Sequence, residues 1–240
     1  MVKISERLRT AAGLIGEGER LADVGTDHGY VPIYLVEQKR IPSAIAMDIR
    51  TGPLERAREH IRMYGMEDYI QTRLSDGVAA LKPGEADSIL IAGMGGGLVI
   101  HILESGRAIC EQADGLILQP QSELPKVRRF LMENGYVTER EEMVMEDGKY
   151  YPMMRVHFDA SAVSHADSFT EEQELEFRYG KQLLAEKHPV LLAYLRWEAQ
   201  IQQDILAQLS GQPATEQIAA RVSGVKQILA QNARALAYYE

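Results

Sequence analysis

The sequence predicts an α/β fold in which a mostly parallel sheet ends in an antiparallel hairpin and is followed by a small helical domain. Five short apolar runs alternate with helical segments, which is typical of a parallel sheet covered by helices on both faces. Two β-like runs, 136–145 and 150–158, then flank Asp147-Gly148, a strong hairpin-turn signal. Beyond a small polar stretch at 159–168 the pattern is helical to the end.

The elements of the first part follow in order along the chain. An opening amphipathic helix carries Ile4, Leu8 and Ile15 on one side. The five predicted parallel strands are 20–24, 43–47, 69–74, 88–92 and 115–118. The predicted helices are 4–16, 28–38, 51–64, 97–105 and 123–134, the last ending at an Asn-Gly pair suited to a C-cap. Together they predict one domain over residues 1–158.

A second domain, 159–240, begins with the polar linker. A helix is predicted from Ser168 or Thr170, a second after the break at His188-Pro189 and a third after Gly211-Gln212-Pro213. The third helix carries a coiled-coil seam with one polar member: Ile218, Val222, Val225, Leu229, Asn232 and Leu236. Its facing stripe on the second helix is Ile201, Ile205 and Leu209. The short connection predicts an antiparallel pair, either a packing appendage or dimer contact, or an arm for a large substrate.

Composition narrows the class of protein. The chain has 240 residues, a net charge of -9 and one cysteine, Cys110, which fits a reducing cytoplasm and excludes an internal disulfide. The start resembles no signal peptide, and no apolar run approaches the ~20 residues of a membrane span. The acidic balance counts against a strong nonspecific nucleic-acid binder, and the basic clusters near residues 3–9, 50–62 and 126–129 are read first as solvated helix faces.

The first chemical signal follows the first strand, where Asp23, Gly25 and Gly29 form a D-x-G-x-x-x-G pattern that also holds Thr26 and Asp27. A glycine turn between a strand and a helix lets backbone approach a ligand at the helix N-terminus. A dinucleotide enzyme needs G-x-G-x-x-G here to cradle a pyrophosphate, and acids would repel that group. The acids instead suit a cationic sulfonium and ammonium cofactor, S-adenosylmethionine.

Three further signals lie after later strands. Asp48, followed by Ile49, can accept the hydroxyls of a ribose, with capping of the next helix as the alternative. Asp76-Gly77 can accept from an adenine amino group, or form an Asx-turn. The run Ala92-Gly93-Met94-Gly95 continues into two more glycines, more than a turn requires. Because parallel strands present their carboxyl ends at one rim, these residues are expected to share a site.

Taken together, these motifs resemble the bacterial TrmK family of tRNA (adenine(22)-N(1))-methyltransferases. The resemblance rests on DVGTDHGYVPI (23–33), DIRTGPLERA (48–57), SDG (75–77), IAGMGG (91–96) and LQPQ (118–121). It implies a Rossmann-like class I methyltransferase sheet, whose closing antiparallel hairpin is typical of that class. It also implies S-adenosylmethionine as cofactor, tRNA as partner, and an N-terminal helix whose Arg7 borders the active site.

N1 of adenine carries a lone pair and can attack a methyl group directly, so alignment matters more than a strong base. We expect Asp27, His28, Tyr30 and Gln119 to line the target side of the site, with Arg7, Gln121 and Tyr150 contacting substrate. No residue spacing indicates a metal or an activated nucleophile. We expect no membrane contact, and a monomer or weak homodimer. Three alternatives stay open: methylation of another RNA or a small molecule, a non-enzymatic RNA-binding adaptor, and an NAD-type oxidoreductase.

Overall fold

A computed structural model describes residues 2–164, 168–213 and 215–240. The chain divides into two compact units, Met1–Ser168 and Phe169–Glu240. The first is the α/β unit and the second is the helical unit. None of the helices in these ranges is long and apolar enough to cross a membrane.

The α/β unit is built on a seven-stranded sheet of order β3-β2-β1-β4-β5-β7-β6. The strands are β1 Leu21–Val24, β2 Ala44–Asp48, β3 Ile70–Leu74, β4 Ser88–Met94, β5 Gly115–Pro120, β6 Tyr136–Glu146 and β7 Lys149–Phe158. The first five are parallel, and β7 pairs antiparallel with both β5 and β6. The predicted α/β class, with its antiparallel closing hairpin, is confirmed.

Helices cover both faces of this sheet. They are α1 Glu6–Gly13, α2 Tyr30–Glu37, α3 Thr51–Met63, α4 Gly96–Ser105, α5 Arg107–Cys110 and α6 Leu124–Glu133. Strand residues alternate between two cores: Ala22 and Val24 pack in the core that includes α4 and α6 residues, whereas Leu21 packs with α1 and α2 residues. Residue 23 therefore points toward α1 and α2, which places an acidic side chain beneath them.

The helical unit contains α7 Glu171–Tyr179, α8 Lys181–Ala185, α9 Pro189–Ser210 and α10 Glu216–Ala237. The α9–α10 pair is antiparallel, because Asn232 near the end of α10 donates to the carbonyl of Leu195 near the start of α9. The predicted seam faces inward: Val225 and Asn232 are buried, and its other four members are partly buried. Ile201, expected on the facing stripe, is 39% exposed, and the stripe is completed instead by Glu198 and Leu195, about one and two turns earlier.

Several boundaries differ from expectation for identifiable reasons. Helix α1 is shorter than 4–16 because Ser5 caps it by accepting from Leu8 N–H. Helix α2 begins at Tyr30, since Gly29 has a left-handed backbone with φ 69°. Gly180 separates α7 from α8, a break that helical periodicity alone did not predict. In the expected linker, Ala160–Ala162 form a 3₁₀ turn, and residues 165–167 lie outside the described ranges.

Candidate functional site

A cavity of about 370 Å³ opens in the α/β unit where β1 and β4 end. Its position at the carboxyl ends of neighbouring parallel strands is where open α/β sheets place their ligands. Most of its lining residues come from the predicted site: Arg7, Asp23, Gly25, Thr26, Asp27, His28, Tyr30, Ala92, Gly93 and Gln121. Leu8, Val31 and Leu90 complete the wall.

Asp23 lies at the end of β1 and is 6% exposed. Its Oδ2 accepts a hydrogen bond from Thr26 Oγ1 at 2.5 Å. Burial raises the pKa of Asp23 to about 6, the Thr26 hydrogen bond opposes that change, and the charge of Asp48 adds to it. A buried acid without a cationic partner is energetically unfavourable, so this carboxylate is suited to receive a positively charged ligand.

The turn after Asp23 needs glycine because of its backbone conformation. Gly25 has φ 77°, a left-handed backbone that disfavours other residues, and a Cβ there would also require the flexible end of Met94, 2.4 Å away at Cε, to move. The N–H groups of Gly25 and Thr26 both donate to the carbonyl of Met47 in β2. Gly29 also has a positive φ and precedes α2, so the helix N-terminus points toward the turn.

Asp27 is held from outside by α3. Its Oδ1 accepts from Arg56 Nη2, and its Oδ2 lies 3.4 Å from Nε2 of His28. The Arg56 hydrogen bond is the main factor that lowers the pKa of Asp27. Asp27 is therefore an ionised carboxylate at neutral pH, suited to electrostatic stabilisation rather than to proton abstraction.

Three nearly parallel rings stand at this wall of the cavity. The ring of His28 lies 5.3 Å from that of Tyr30, and the ring of His60 lies 4.8 Å from Tyr30 and 5.3 Å from His28. His28 and Tyr30 were predicted at the site, whereas His60 and Arg56 were not. Both unpredicted residues lie on α3, four positions apart; Arg56 falls within the DIRTGPLERA segment (48–57) without being singled out there, and His60 lies outside every segment that carries the resemblance.

The opposite wall is organised around Gln119 in β5, which is fully buried. Its Oε1 accepts from Arg7 Nη1 at 2.8 Å and from Gly93 N–H at 3.1 Å, while Nε2 has no hydrogen-bond partner among the residues that the structure describes. The Arg7 guanidinium also lies 5.5 Å from the ring centre of Tyr151. Arg7 and Gly93 line the cavity, so Gln119 acts on its wall through them.

The glycines after β4 have different surroundings. Gly93 has φ 78°, and a Cβ there would meet nothing closer than 3.9 Å, so it leaves the cavity open. Gly96 is required for packing, because a Cβ would lie 2.5 Å from the carbonyl oxygen of Ser122. Met94 and Gly95 do not line the cavity; Met94 lies against Gly25, and Gly95 precedes α4.

The remaining predicted residues do not line the cavity. Asp48 ends β2, is 8% exposed, and accepts from Arg50 N–H at 2.8 Å. Arg50, not Asp48, is the N-cap of α3. Ile49 is exposed. These two residues form the rim next to β1.

Asp76 and Gly77 follow β3. The turn there is held by the Ser75 hydroxyl, which donates to the Gly77 carbonyl and accepts from Ala80 N–H, and the Asp76 side chain stays exposed. Tyr150 lies in β7 opposite Met145 and does not line the cavity. Its neighbour Tyr151, on the other face of the strand, is the tyrosine beside Arg7.

Among the described residues, no group of three or more His, Cys, Asp or Glu side chains is arranged to hold a metal ion. Cys110 is buried, and burial raises its pKa to about 12, so it is a thiol rather than a nucleophilic thiolate.

Comparison with known proteins gives the same family as the motifs. A family model described as a methyltransferase domain matches residues 4–154. The tRNA (adenine(22)-N(1))-methyltransferase of Bacillus subtilis is 36% identical over 217 residues, covering 90% of each chain.

Solved structures match along nearly the whole chain. The crystal structure of the B. subtilis m1A22 tRNA methyltransferase TrmK superposes with a TM-score of 0.81 at 32% identity, covering 98% of this chain and 99% of that one. A putative tRNA (m1A22) methyltransferase of Streptococcus pneumoniae, in complex with S-adenosyl-L-methionine, gives 0.78 at 32% identity over 95% and 100% of the two chains. The chain therefore belongs to the TrmK family of methyltransferases.

Proposed function

We propose that the protein is a tRNA (adenine(22)-N(1))-methyltransferase that uses S-adenosyl-L-methionine. The observation that carries this proposal is the buried Asp23 carboxylate at the cavity, next to the left-handed Gly25 and the open backbone of Gly93. The family membership supplies the substrate, since the B. subtilis relative carries that activity in its name.

The residues present fit this cofactor. S-adenosyl-L-methionine supplies a methyl group on a positively charged sulfur and also carries an ammonium group. Asp23 offsets positive charge, and Gly25, which has no side chain, lets a ligand approach the turn closely beside Thr26, while Gly29 opens α2 just beyond. Asp48 and Ile49, then Asp76 and Gly77, extend along the rim as the proposed nucleoside side of the site. Ala92, Gly93, Met94 and Gly95 form its β4 side.

An NAD-type cofactor fits less well. A pyrophosphate at this turn would meet the carboxylates of Asp23 and Asp27 instead of a G-x-G-x-x-G cradle. Like charges in a site of low dielectric repel strongly. This favours a cationic cofactor over a dinucleotide.

On the target side, the proposed residues are Asp27, His28, Tyr30 and Gln119. The attacking N1 atom brings its own lone pair, so the chain needs to hold the base in line rather than take a proton from it. As the methyl group moves, positive charge develops on the adenine, and the ionised Asp27 is suited to stabilise it. The rings of His28 and Tyr30 offer a stacking surface for a flipped base.

Arg7, Gln121 and Tyr150 are the proposed substrate contacts of the α/β unit. For the helical unit we propose the role of a tRNA-contacting arm, supported by its exposed Trp197 and Ile201 on α9. The protein would act in the cytoplasm, as a monomer or weak homodimer. Removal of residues 169–240 tests the arm: methylation of a free adenine-containing oligonucleotide should survive while tRNA methylation falls.

The function is tested with radiolabelled S-adenosyl-L-methionine and two tRNA transcripts, one with adenine and one with guanine at position 22. Label should enter only the first, and mass spectrometry of its digest should give 1-methyladenosine at that position. Label in both transcripts, or in neither, would overturn the proposal. Labelling of another RNA or a small molecule instead would establish the alternative substrate class.

A further inference from the structure

We infer that His60 is a positioning residue that sets the rings of His28 and Tyr30 for the target adenine. The inference deepens the proposed function and rests on it. His60 belongs to α3, outside the β1–α2 turn that carries the other two rings.

The first observation is a hydrogen bond to backbone. Nδ1 of His60 lies 3.0 Å from the carbonyl oxygen of His28. A carbonyl can only accept, so His60 carries its proton on Nδ1 and donates it. This bond fixes the peptide after His28 and, through it, the direction in which the His28 side chain leaves the backbone.

The second observation is the ring packing. The rings of His60 and Tyr30 are 4.8 Å apart at an angle of 18°, and His28 lies 8° from parallel with Tyr30. Offset stacking at these distances is favourable. His60 thus backs the two rings whose other surroundings include the cavity.

The third observation is that the turn between β1 and α2 has an uncommon backbone conformation that contacts from α3 stabilise. Asp27, immediately before His28, has φ 40°, an uncommon left-handed conformation for a residue other than glycine. Arg56 binds the Asp27 side chain and His60 binds the next carbonyl, so one face of α3 holds two successive residues. Within the described part of the chain, Nδ1 of His28 is buried and has no hydrogen-bond partner, so His28 makes no side-chain hydrogen bond through this atom that would fix its ring.

Three substitutions separate the two contributions. His60→Ala removes both the ring and the donor. His60→Phe keeps a ring without the donor, and His60→Asn keeps a donor near the Nδ1 position without the ring. Met63→Ala, at an exposed residue of the same helix, is the matched control.

Single-turnover methyl transfer at saturating tRNA should fall at least tenfold in His60→Ala, with His60→Phe and His60→Asn each regaining part of the loss. The dissociation constant of S-adenosylhomocysteine, from titration calorimetry, should stay within about twofold of the unsubstituted protein. A His60→Ala rate within twofold of the unsubstituted protein would overturn the inference. An equal loss of affinity for S-adenosylhomocysteine would also overturn it, because His60 would then support the whole turn rather than the two rings.

Amide hydrogen exchange of the protein alone gives a readout that needs no tRNA. His60→Ala should raise exchange in peptides covering residues 25–31, and Met63→Ala should not. If the unsubstituted protein fails to methylate tRNA, the proposed function is wrong, while this exchange result still decides whether His60 holds the turn. Unchanged exchange would contradict the positioning role directly.

Discussion

Thr26 Oγ1 donates a 2.5 Å hydrogen bond to Asp23 Oδ2, three residues back across the glycine turn. This bond is the only hydrogen bond recorded for the Asp23 side chain within residues 2–164, although that side chain is almost fully buried. One neutral donor compensates only part of the desolvation of a carboxylate. The turn therefore holds an acid that is unfavourable until a cation arrives.

The first prediction concerns stability and pH. Burial raises the folded-state pKa of Asp23 to about 6, above the usual range of an aspartate, so the stabilising contribution of the protonated carboxyl is complete below about pH 4 and lost as pH rises through 6. The loss is on the order of 3 kcal/mol. Asp23→Asn should remove this dependence. The urea midpoint of the variant minus that of the unsubstituted protein should therefore be larger at pH 7.5 than at pH 4.5. Equal differences at both pH values would contradict the prediction.

The second prediction concerns cofactor affinity. A cation beside Asp23 favours the ionised form, so binding of S-adenosyl-L-methionine should release a proton below pH 6. Its affinity, measured by calorimetry, should rise roughly tenfold between pH 5 and pH 7. Asp23→Asn should bind at least tenfold more weakly at pH 7 and show little pH dependence. A pH profile that is the same in both proteins would place the cation elsewhere.

The third prediction concerns Arg7. Replacing it with alanine leaves Gln119 Oε1 with only the Gly93 N–H as donor, and removes a charge from the cavity wall. We expect tRNA turnover to fall by roughly tenfold or more, as for loss of a charged hydrogen bond. Arg9→Ala is the matched control, because Arg9 is exposed and 3.0 Å from Glu6 on the same helix. Equal losses in both would mean that Arg7 contributes only its charge.

The fourth prediction separates two adjacent glycines. Gly96→Ala would bring Cβ within 2.5 Å of the Ser122 carbonyl oxygen and 2.9 Å of Val127 Cγ2, so we expect a loss of about 1–3 kcal/mol in unfolding free energy. At Gly97 the nearest atom, at 3.3 Å, is Oε2 at the far end of the Glu123 side chain. Gly97→Ala should therefore be neutral or gain up to ~1 kcal/mol from helix propensity. Urea denaturation of both variants checks that Gly96→Ala is the less stable of the two.

Much of the fold followed from local pattern, since each parallel strand is a short apolar run that ends at a turn. The site was partly predictable for the same reason: Asp23, Gly25 and Gly93 each follow a strand, and strand ends share a rim. Gly96 looked like part of the same ligand signal, but its need for glycine comes from Ser122, distant in sequence. No local pattern encodes such an approach.

Arg56 and His60 are the converse case: both contact the turn at the site, but the sequence did not predict either contact. On α3 they read as ordinary polar positions, because the sequence does not state which face of a helix meets a loop formed about thirty residues earlier. In the helical unit the seam was predictable from its heptad spacing. The contact between Asn232, its polar member, and Glu198 on α9 was not predictable.

The last prediction concerns that pair. Asn232 is 1% exposed, and its Nδ2 donates to the Leu195 carbonyl and to Glu198 Oε2, each at 2.9 Å. Asn232→Leu deprives the buried Glu198 carboxylate of a donor, which should lower the stability of this unit by about 1–3 kcal/mol even though the seam becomes more apolar.

Trp197, the one tryptophan of the chain, lies on α9, so its fluorescence during urea unfolding reports on the helical unit. Gln227→Ala, at an exposed position of α10, is the control and should leave the transition unchanged. Asn232→Asp places a second carboxylate beside Glu198 and should be worse than Asn232→Leu at pH 7, with the gap narrowing as the pH falls toward 4. A leucine variant as stable as the original would mean that Asn232 sets only the register of α9 and α10 and that Glu198 needs no donor from it.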